Sequence, residues 1–165
     1  MSSRVLVSLR VKAPPERAFD AFVGEIGAWW QPNVLFAFTP RDPGVLAFEP
    51  GMNGRLTTTL ASGKVFEIGR IRVWEPPPDD QSDGRLVFGW RQATFAADQD
   101  TEVEVRFELI GEETRVTVEH TGWDTVPAAH VARHGFANAI FLTRHGEWWQ
   151  ALLASYRARV AGSPR

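Results

Sequence analysis

His120 is the side chain that its local pattern directs most clearly toward chemistry. It follows Val116 and Val118 at every second position, and the residues between them are polar or charged. Because alternate side chains of a strand face the same side, His120 should lie as a polar group in an apolar wall. There an imidazole can donate a hydrogen bond to a ligand carbonyl or act as a base, or it is satisfied by backbone or by a neighbour such as Thr121. The sequence leaves these alternatives open, and we take His120 as the predicted polar anchor of a binding site.

Three further histidines have a spacing that could serve a metal ion. His130 and His134 are four residues apart, and His145 follows eleven residues later, on nearly the same side of a continuous helix. Histidines arranged in this way can bind zinc or nickel. However, Gly135 can interrupt the helix, and the sequence contains neither cysteine nor a His-Glu-x-x-His motif. We therefore expect these histidines on a solvated face, and we predict no metal and no cofactor.

Aromatic side chains are abundant enough either to line a cavity or to fill a core. Seven tryptophans and eleven phenylalanines occur in 165 residues, and four of the tryptophans lie in two Trp-Trp-Gln triplets. Aromatic side chains at strand or helix spacing more often belong to a filled core. Ligand cavities, however, are also lined mainly by such side chains. The predicted ligand-binding set is Trp30, Phe36, Phe38, Trp74, Trp90, Phe107, His120, Gly146 and Trp149.

Gly146 is the feature that favours a cavity over a filled core. At about 100° per residue, Gly146 and Trp149 fall on one stripe of the last helix, and Trp148 lies about 100° away from it. We therefore expect Trp149 to face inward and Trp148 to lie at the helix flank. A glycine on the stripe costs about 1 kcal/mol of helix propensity relative to alanine, and it leaves either a close backbone contact or empty volume. Either Trp30 and Trp149 touch and fill the space, or they stand apart around a pocket.

Arg70 and Arg72 form a second polar set, on one face of a single strand. On a concave face they would bind a ligand carboxylate or phosphate, whereas on a convex face they would pair with glutamates of neighbouring strands. The alternation with Ile71 and Val73 favours the convex face.

The hydrophobic pattern predicts the elements that must position these residues. An alternating strand covers residues 4–12, and two short helices, interrupted by glycines, follow up to Trp30. From Val45 to Thr121 the signals are strand and turn, and from Phe136 to about Val160 they indicate one long amphipathic helix. This order predicts an α+β fold with a curved antiparallel sheet of about seven strands and a long C-terminal helix across its concave face. We expect a single domain over residues 1–165.

Several stretches of the chain resemble a known superfamily. They are "GEIGAWWQP", "VWEPP" followed by "RLVFGW", the hairpin "TEVEVRFEL" with "GEETRVTVEHTGW", and the late "GEWWQALL". In these stretches the chain is similar to the helix-grip (SRPBCC) superfamily of START domains, Bet v 1 allergens and polyketide cyclases. Within that superfamily it resembles the branch named after the C-terminal domain of the activator of Hsp90 ATPase. The resemblance implies a cavity between the sheet and the long helix, but one fold hosts many functions.

Composition and charge limit the classes of function. The net charge of −2 gives no long-range attraction to nucleic acid or anionic lipid. No apolar run approaches the ~20 residues of a membrane helix, and the absence of cysteine fits a reducing compartment. We therefore expect a cytoplasmic protein whose partner is a small molecule, with neither nucleic acid binding nor membrane insertion. The sequence also allows a homodimer.

The function that we expect is non-enzymatic binding of a small hydrophobic or amphipathic molecule between the sheet and the C-terminal helix. One alternative is a cyclase or hydratase that uses the same cavity. It would need at least two polar groups that converge on one point. The other alternative is a co-chaperone of an Hsp90-type chaperone, which the resemblance implies. The eukaryotic namesake carries an additional N-terminal domain that makes major contact with the chaperone, and this chain is expected to lack room for it.

Overall fold

Seven strands form one antiparallel sheet in this chain. The computed structural model describes residues 4–30, 44–91, 96–123 and 138–162. In chain order the strands are β1 (Val5–Val11), β2 (Val45–Phe48), β3 (Arg55–Thr59), β4 (Val65–Glu75), β5 (Gly84–Trp90), β6 (Thr101–Ile110) and β7 (Glu113–Thr121). Their order across the sheet is β1-β7-β6-β5-β4-β3-β2. The first strand therefore lies beside the last, and β1 and β2 form the two edges.

Three helices lie within the described residues. They are α1 (Pro15–Gly24), α2 (Ile26–Trp29) and the 25-residue α3 (Asn138–Gly162). Pro15 begins α1, where a missing backbone N–H costs nothing. The first short helix ends at Gly24, and Glu25 separates it from α2, which contains Gly27. None of these helices is long and apolar enough to cross a membrane.

The core lies between the concave face of the sheet and α3. Along β6, Val103, Val105 and Phe107 are fully buried while the residues between them are not, as period-two alternation requires. On α3, Trp149 and Tyr156 are also fully buried. The predicted α+β helix-grip architecture is therefore confirmed, with two short helices and one long C-terminal helix.

The convex face carries paired charges. Arg72 donates to Asp100 and to Glu102, in both cases at 2.9 Å, and Arg70 contacts Glu67 at 3.2 Å. Both arginines are exposed, so the convex placement expected from the alternation of β4 is confirmed.

Candidate functional site

Three strand ends bring polar and aromatic side chains together at one end of the sheet. Trp90 closes β5 and pairs in register with Thr101, the first residue of β6. His120 lies near the end of β7, opposite Val103 on one side and Val5 of β1 on the other. Because the alternation of β7 directs His120 to the concave side, its side chain is fully buried. The predicted inward placement of His120 follows from this local pattern.

The N-terminal half of α3 covers this end of the sheet. His145 and Trp149 are four residues apart, and Trp148 lies three residues from His145, so all three side chains reach the same side of the helix. His145 and Trp149 have no exposed surface, and Trp148 is 5% exposed. The expected flank position of Trp148 is therefore wrong. Its ring is covered by Trp30 and Trp90, at ring-centroid distances of 5.5 and 6.3 Å.

A chain of hydrogen bonds joins the helix to the strand ends. Trp149 Nε1 donates to Nδ1 of His120 at 3.2 Å, and Nε2 of His145 lies 3.0 Å from the same nitrogen. The other imidazole nitrogen of His120, Nε2, lies 2.8 Å from Oγ1 of Thr101. The hydroxyl of Thr101 donates to the backbone carbonyl of Trp90 at 2.5 Å. Both nitrogens of His120 are thus engaged by protein groups.

Aromatic rings surround both imidazoles. His120 lies 4.8 Å from Trp90 and 5.2 Å from Trp123, between ring centroids. His145 lies 4.9 Å from Trp123 and 5.3 Å from Trp148. We call this group the histidine–tryptophan cluster; it comprises Trp90, His120, Trp123, His145, Trp148 and Trp149.

Burial keeps both histidines of the cluster neutral. It lowers the pKa of His145 to about 3, because a charged imidazole has no water to solvate it. Burial also lowers the pKa of His120 well below its usual range, and the neighbouring His145 lowers it further. At neutral pH the cluster therefore consists of neutral hydrogen-bonding groups and aromatic rings. Such imidazoles are weak bases.

The two tryptophan pairs of the sequence meet beside this cluster. Trp30, which follows α2 and is partly buried, lies 5.7 Å from Trp149 between ring centroids. These rings stand edge to face and in contact. Of the two alternatives left by the sequence, the described residues therefore have Trp30 and Trp149 touching.

Other predicted site residues lie elsewhere. Phe107 and Trp74 contact Phe19 of α1, at 5.1 and 5.2 Å between ring centroids, and neither belongs to the cluster. Phe36 and Phe38 lie outside the described residues. Gly146 borders a surface groove of about 450 Å³ between β1 and α3. Among the described residues, a Cβ atom at Gly146 would meet only Val5 Cγ1 within 4 Å, at 3.7 Å.

His145 is the residue that sequence reasoning misjudged. It was expected on a solvated face together with His130 and His134, but its side chain is fully buried. The signal that could have found it is its four-residue spacing from Trp149 on the buried stripe. His130 and His134 lie outside the described residues. Within the described part of the chain, no group of three or more histidine, cysteine, aspartate or glutamate side chains could hold a metal ion.

Trp123 and Thr101 were also missed. Trp123 follows β7 directly, where period-two alternation no longer applies. Thr101 is a single polar residue at the start of β6, and its contact with His120 is set by strand register rather than by local sequence. No local signal identifies either residue.

Comparison with protein families gives one match. Residues 12–143 match the family described as activator of Hsp90 ATPase homolog 1-like protein. Comparison with curated proteins gave no significant match.

Solved structures of similar fold cover nearly the whole chain. An Hsp90 activator from Plasmodium falciparum, PFC0360w, is 15% identical, with 96% of each chain covered and a TM-score of 0.62. Aha1 from Colwellia psychrerythraea, whose solution structure is described as a dimer, is 14% identical, with 98% of each chain covered and a TM-score of 0.59. At these identities the likeness concerns the fold alone.

One solved structure is more similar in sequence. Txn09, described as an anthrahydroquino-gamma-pyrone synthase complexed with SUM, is 27% identical. The alignment covers 94% of this chain and 95% of Txn09, with a TM-score of 0.55. Proteins of this fold therefore include one described as an Hsp90 activator and one described as a synthase.

Proposed function

The chain belongs to the activator of Hsp90 ATPase homolog 1-like family, and from this premise we propose that it binds a small, largely apolar aromatic molecule at the histidine–tryptophan cluster. The site would lie between the end of the sheet and the N-terminal half of α3. Binding, rather than chemistry, is the primary role.

The observation that supports this proposal is the series of hydrogen-bonded polar side chains buried among tryptophan rings. His120 and His145 are fully buried, and desolvating two imidazoles costs free energy that apolar side chains of similar volume would not require. These hydrogen bonds join α3 to the strand ends, and they also suit the recognition of a guest. Aromatic walls with a few convergent polar groups are typical of small-molecule sites.

Trp30 is the ring that a guest would replace. It is only partly buried, whereas Trp148 and Trp149, the rings that it contacts, are buried on α3. A planar aromatic guest would make the same edge-to-face contacts with Trp148 and Trp149 that Trp30 makes. Moving a partly buried ring costs less than moving a fully buried one, since less apolar surface returns to water.

The test is calorimetric titration of the protein with 1-naphthol. We expect saturable binding, and we expect Trp30→Ala to bind more tightly because the competing ring is absent. Trp74→Ala is the matched control, since Trp74 is also partly buried but contacts Phe19 outside the cluster. It should leave the affinity unchanged.

The proposal fails if neither the wild type nor Trp30→Ala binds 1-naphthol while both remain folded. It also fails if Trp74→Ala weakens binding as much as His120→Leu does. In that case the guest would lie away from the cluster.

An enzyme that acts in the same place is the second candidate, because the 27% identical Txn09 is described as a synthase. The depressed pKa values of both histidines argue against general-base catalysis at neutral pH. If the chain were such an enzyme, His145→Gln would abolish turnover of a bound aromatic polyketide and leave its binding largely intact.

An action on an Hsp90-type chaperone is the third candidate, and the description of the Plasmodium falciparum relative favours it. It is tested by the ATPase rate of the chaperone with and without the protein. A concentration-dependent increase that persists in His120→Leu would assign the activity to a surface outside the cluster.

A further inference from the structure

The outer edge of β1 presents backbone groups to the surface. Among the described strands, β1 pairs only with β7 and lies at one end of the sheet. The hairpin of β6 and β7 shows which groups point outward. Its turn has two residues, so the flanking Ile110 and Glu113 form a hydrogen-bonded pair, and such pairs recur at every second residue. The N–H of Leu109 donates to Asp83, on the β5 side, as this alternation requires.

The same alternation assigns the backbone groups of β1. The residues of β1 that bond to β7 are Val5, Val7, Leu9 and Val11. The N–H and C=O groups of Leu6, Ser8 and Arg10 therefore point to the open edge. Leu6 is 53% exposed, and the other two residues are exposed as well. In the part of the chain that the structure describes, none of the three forms a backbone hydrogen bond on this side.

A groove of about 450 Å³ lies beside this edge, between β1 and α3. Gly146 forms part of its wall, where a Cβ atom would lie 3.7 Å from Val5 Cγ1. A longer side chain at Gly146 would extend into the groove. The glycine thus costs helix propensity but leaves open a space that can receive side chains of a bound strand.

The charged side chains that β1 contributes to this edge are basic. Arg4, Arg10 and Lys12 lie at even-numbered positions, and all three are exposed. Arg4 contacts Glu119 and Arg10 contacts Glu113, yet the two arginine side chains remain 51% and 56% exposed. A strand that pairs with β1 places its own alternate side chains opposite these cations, so carboxylates are favoured there. The side chains between them would face the groove.

Two copies of the chain fit each other less well along this edge. In the longest antiparallel pairing of two β1 strands, Ser8 lies opposite Ser8 of the other copy. Arg4 then lies opposite Lys12, and Leu6 lies opposite Arg10. Like charges directly opposite each other destabilise a sheet. The charges of β1 therefore favour an acidic partner over a second copy.

We propose that the edge of β1 and the groove beside it bind an extended segment of a partner protein in which acidic and apolar residues alternate. The segment adds one antiparallel strand to the sheet, and its backbone bonds to Leu6, Ser8 and Arg10. Its carboxylates lie opposite the cations of β1, and its apolar side chains face the groove. This role does not depend on whether the histidine–tryptophan cluster binds a small molecule.

Amide hydrogen exchange of the free protein tests the state of the edge. We expect the N–H groups of Leu6, Ser8 and Arg10 to exchange rapidly, and those of Val7 and Leu9 to exchange slowly because they bond to β7. Slow exchange of all five groups would overturn the proposal, because the edge would already be occupied. If that slow exchange appeared only at high protein concentration, the occupant would be a second copy.

The partner class is tested with the peptide acetyl-Glu-Val-Glu-Val-Glu-Val-Glu-amide at low ionic strength, by calorimetric titration. We expect saturable binding that slows exchange at Leu6, Ser8 and Arg10. The peptide with lysine in place of each glutamate should bind at least about tenfold more weakly. The net charge of −2 would by itself favour the lysine peptide, so a preference for glutamate reports the local charges of β1. Absence of binding, or equal affinity for the two peptides, would overturn the proposal.

Backbone pairing is tested from both sides of the contact. Methylation of the backbone nitrogens of the two central glutamates of the peptide should weaken binding about tenfold, since it removes two hydrogen bonds to β1. Ser8→Pro removes the outward N–H of β1, a change that an edge strand tolerates, and it should weaken binding as well. Ser8→Ala is the matched control, because it removes only the hydroxyl group that lies 3.2 Å from Thr117 Oγ1. The methylated peptide tests the claim even if Ser8→Pro does not fold, and its undiminished binding would overturn it.

The groove is tested by Gly146→Leu, which fills it and should weaken binding of the glutamate peptide about tenfold or more. Ala151→Leu is the control, since Ala151 is exposed on the same helix but does not line the groove. It should bind the peptide as the wild type does. Unchanged affinity in Gly146→Leu would overturn the role of the groove. None of these results depends on 1-naphthol, so the proposed function stands or fails separately.

Discussion

At the scale of single residues, His120 joins the long helix to the sheet through hydrogen bonds. The sequence left open whether His120 donates to a ligand carbonyl, acts as a base or is satisfied by a neighbour. In the structure its Nε2 is engaged by Thr101, and its Nδ1 by Trp149 and His145. It therefore acts inside the protein, as the acceptor that joins α3 to β7. The alternation of β7 correctly predicted that His120 is buried. It could not predict the hydrogen-bond partners of His120, which come from other elements.

Replacing His120 should be costly for stability. His120→Leu keeps the apolar volume, but it leaves the N–H groups of His145 and Trp149 without their acceptor. Each buried unsatisfied donor costs roughly 1–3 kcal/mol, so for two donors we expect a loss of about 2–6 kcal/mol in the free energy of unfolding. Urea titration followed by tryptophan fluorescence measures it.

A double-mutant cycle with Trp149→Phe shows whether the loss comes from the hydrogen bonds. Because both single variants break the same bond, the double variant should be less destabilised than the sum of the two. Strictly additive effects would mean that the bond between Trp149 and His120 contributes nothing to stability.

The two histidines also make stability depend on pH. Their pKa values are lowered in the folded state, whereas in the unfolded chain they have ordinary values near 6.5. The unfolded chain thus binds more protons than the folded protein once the pH falls below about 6.5. Stability is fully present above that pH and is lost as the pH falls toward about 3, the folded pKa of His145. Each histidine contributes up to about 1.4 kcal/mol per pH unit in this window.

Urea titrations at pH 7.5 and pH 5 measure this loss, which should be roughly 2 kcal/mol for each histidine. In His145→Leu one buried imidazole is absent. The free energy of unfolding should therefore change less steeply with pH, by the contribution of about one proton. The carboxyl group of Glu25 does not confuse the result, because its pKa is lowered and its contribution is lost only at lower pH. A free energy of unfolding that is equal at the two pH values would contradict the neutral state of the cluster.

At the scale of elements, Gly146 weakens α3 without a steric reason. Within the part of the chain that the structure describes, a Cβ atom at this position meets only Val5 Cγ1, at the ordinary contact distance of 3.7 Å. Gly146→Ala should therefore raise the free energy of unfolding by about 0.5–1 kcal/mol, as alanine replaces glycine within a helix. Gly27→Ala is the contrasting control, because its Cβ would lie 2.9 Å from the carbonyl oxygen of Leu46 and should destabilise. Destabilisation by Gly146→Ala would show that α3 packs more closely on β1 than this distance indicates.

Glu25 ties α1 to the C-terminal half of α3. Its carboxylate accepts from Arg17 at 2.6 Å and from Arg159 at 3.0 Å, and its side chain is only 25% exposed. The two arginines lower its pKa through these hydrogen bonds. Glu25→Gln should cost about 0.5–1 kcal/mol, because partly exposed pairs are screened by water.

Glu67→Gln is the control for this pair, since Glu67 contacts Arg70 on the exposed face of β4. Its effect on the urea midpoint should be close to zero. The effect of Glu25→Gln should decrease in high salt. An effect that does not change with salt would point to packing rather than charge.

The elements themselves could largely be predicted from the sequence. Period-two alternation fixed β1, β6 and β7, and helical spacing fixed the buried stripe of α3 through Trp149 and Tyr156. The burial of Trp148 and His145 could not be predicted in this way. A helix stripe gives only the direction of a side chain, whereas the covering of its flank by Trp30, Trp90 and Trp123 depends on residues distant in the chain. Local periodicity contains no information about them.

At the scale of the whole molecule, the cluster joins residues that are distant in the sequence. Trp90, His120 and Trp149 come from β5, β7 and α3, and Trp30 follows α2. Antiparallel register places the strand ends side by side, and the crossing of α3 adds the helix residues. The fold class follows from element order, but the position of Trp30 against Trp149 follows only from this assembly. The sequence alone therefore left the choice between a pocket and a filled core open.

A guest at this junction should stabilise the whole molecule, because unfolding separates every element that forms the site. A ligand that binds only the folded state at a concentration 100 times its Kd adds about 2.7 kcal/mol. For a chain of this size, each kcal/mol raises Tm by roughly 2–4 °C, so saturating 1-naphthol should raise Tm by roughly 5–10 °C. Differential scanning calorimetry measures this shift.

The shift should be smaller at the same ligand concentration in His145→Leu, because the cluster loses one of its two imidazoles, and it should be unchanged in Trp74→Ala. Non-specific binding of an apolar molecule gives the opposite result. Such binding favours the unfolded chain, which exposes more apolar surface, and therefore lowers Tm. The sign of the shift thus separates a guest held between the sheet and α3 from a molecule that merely adheres to apolar surface.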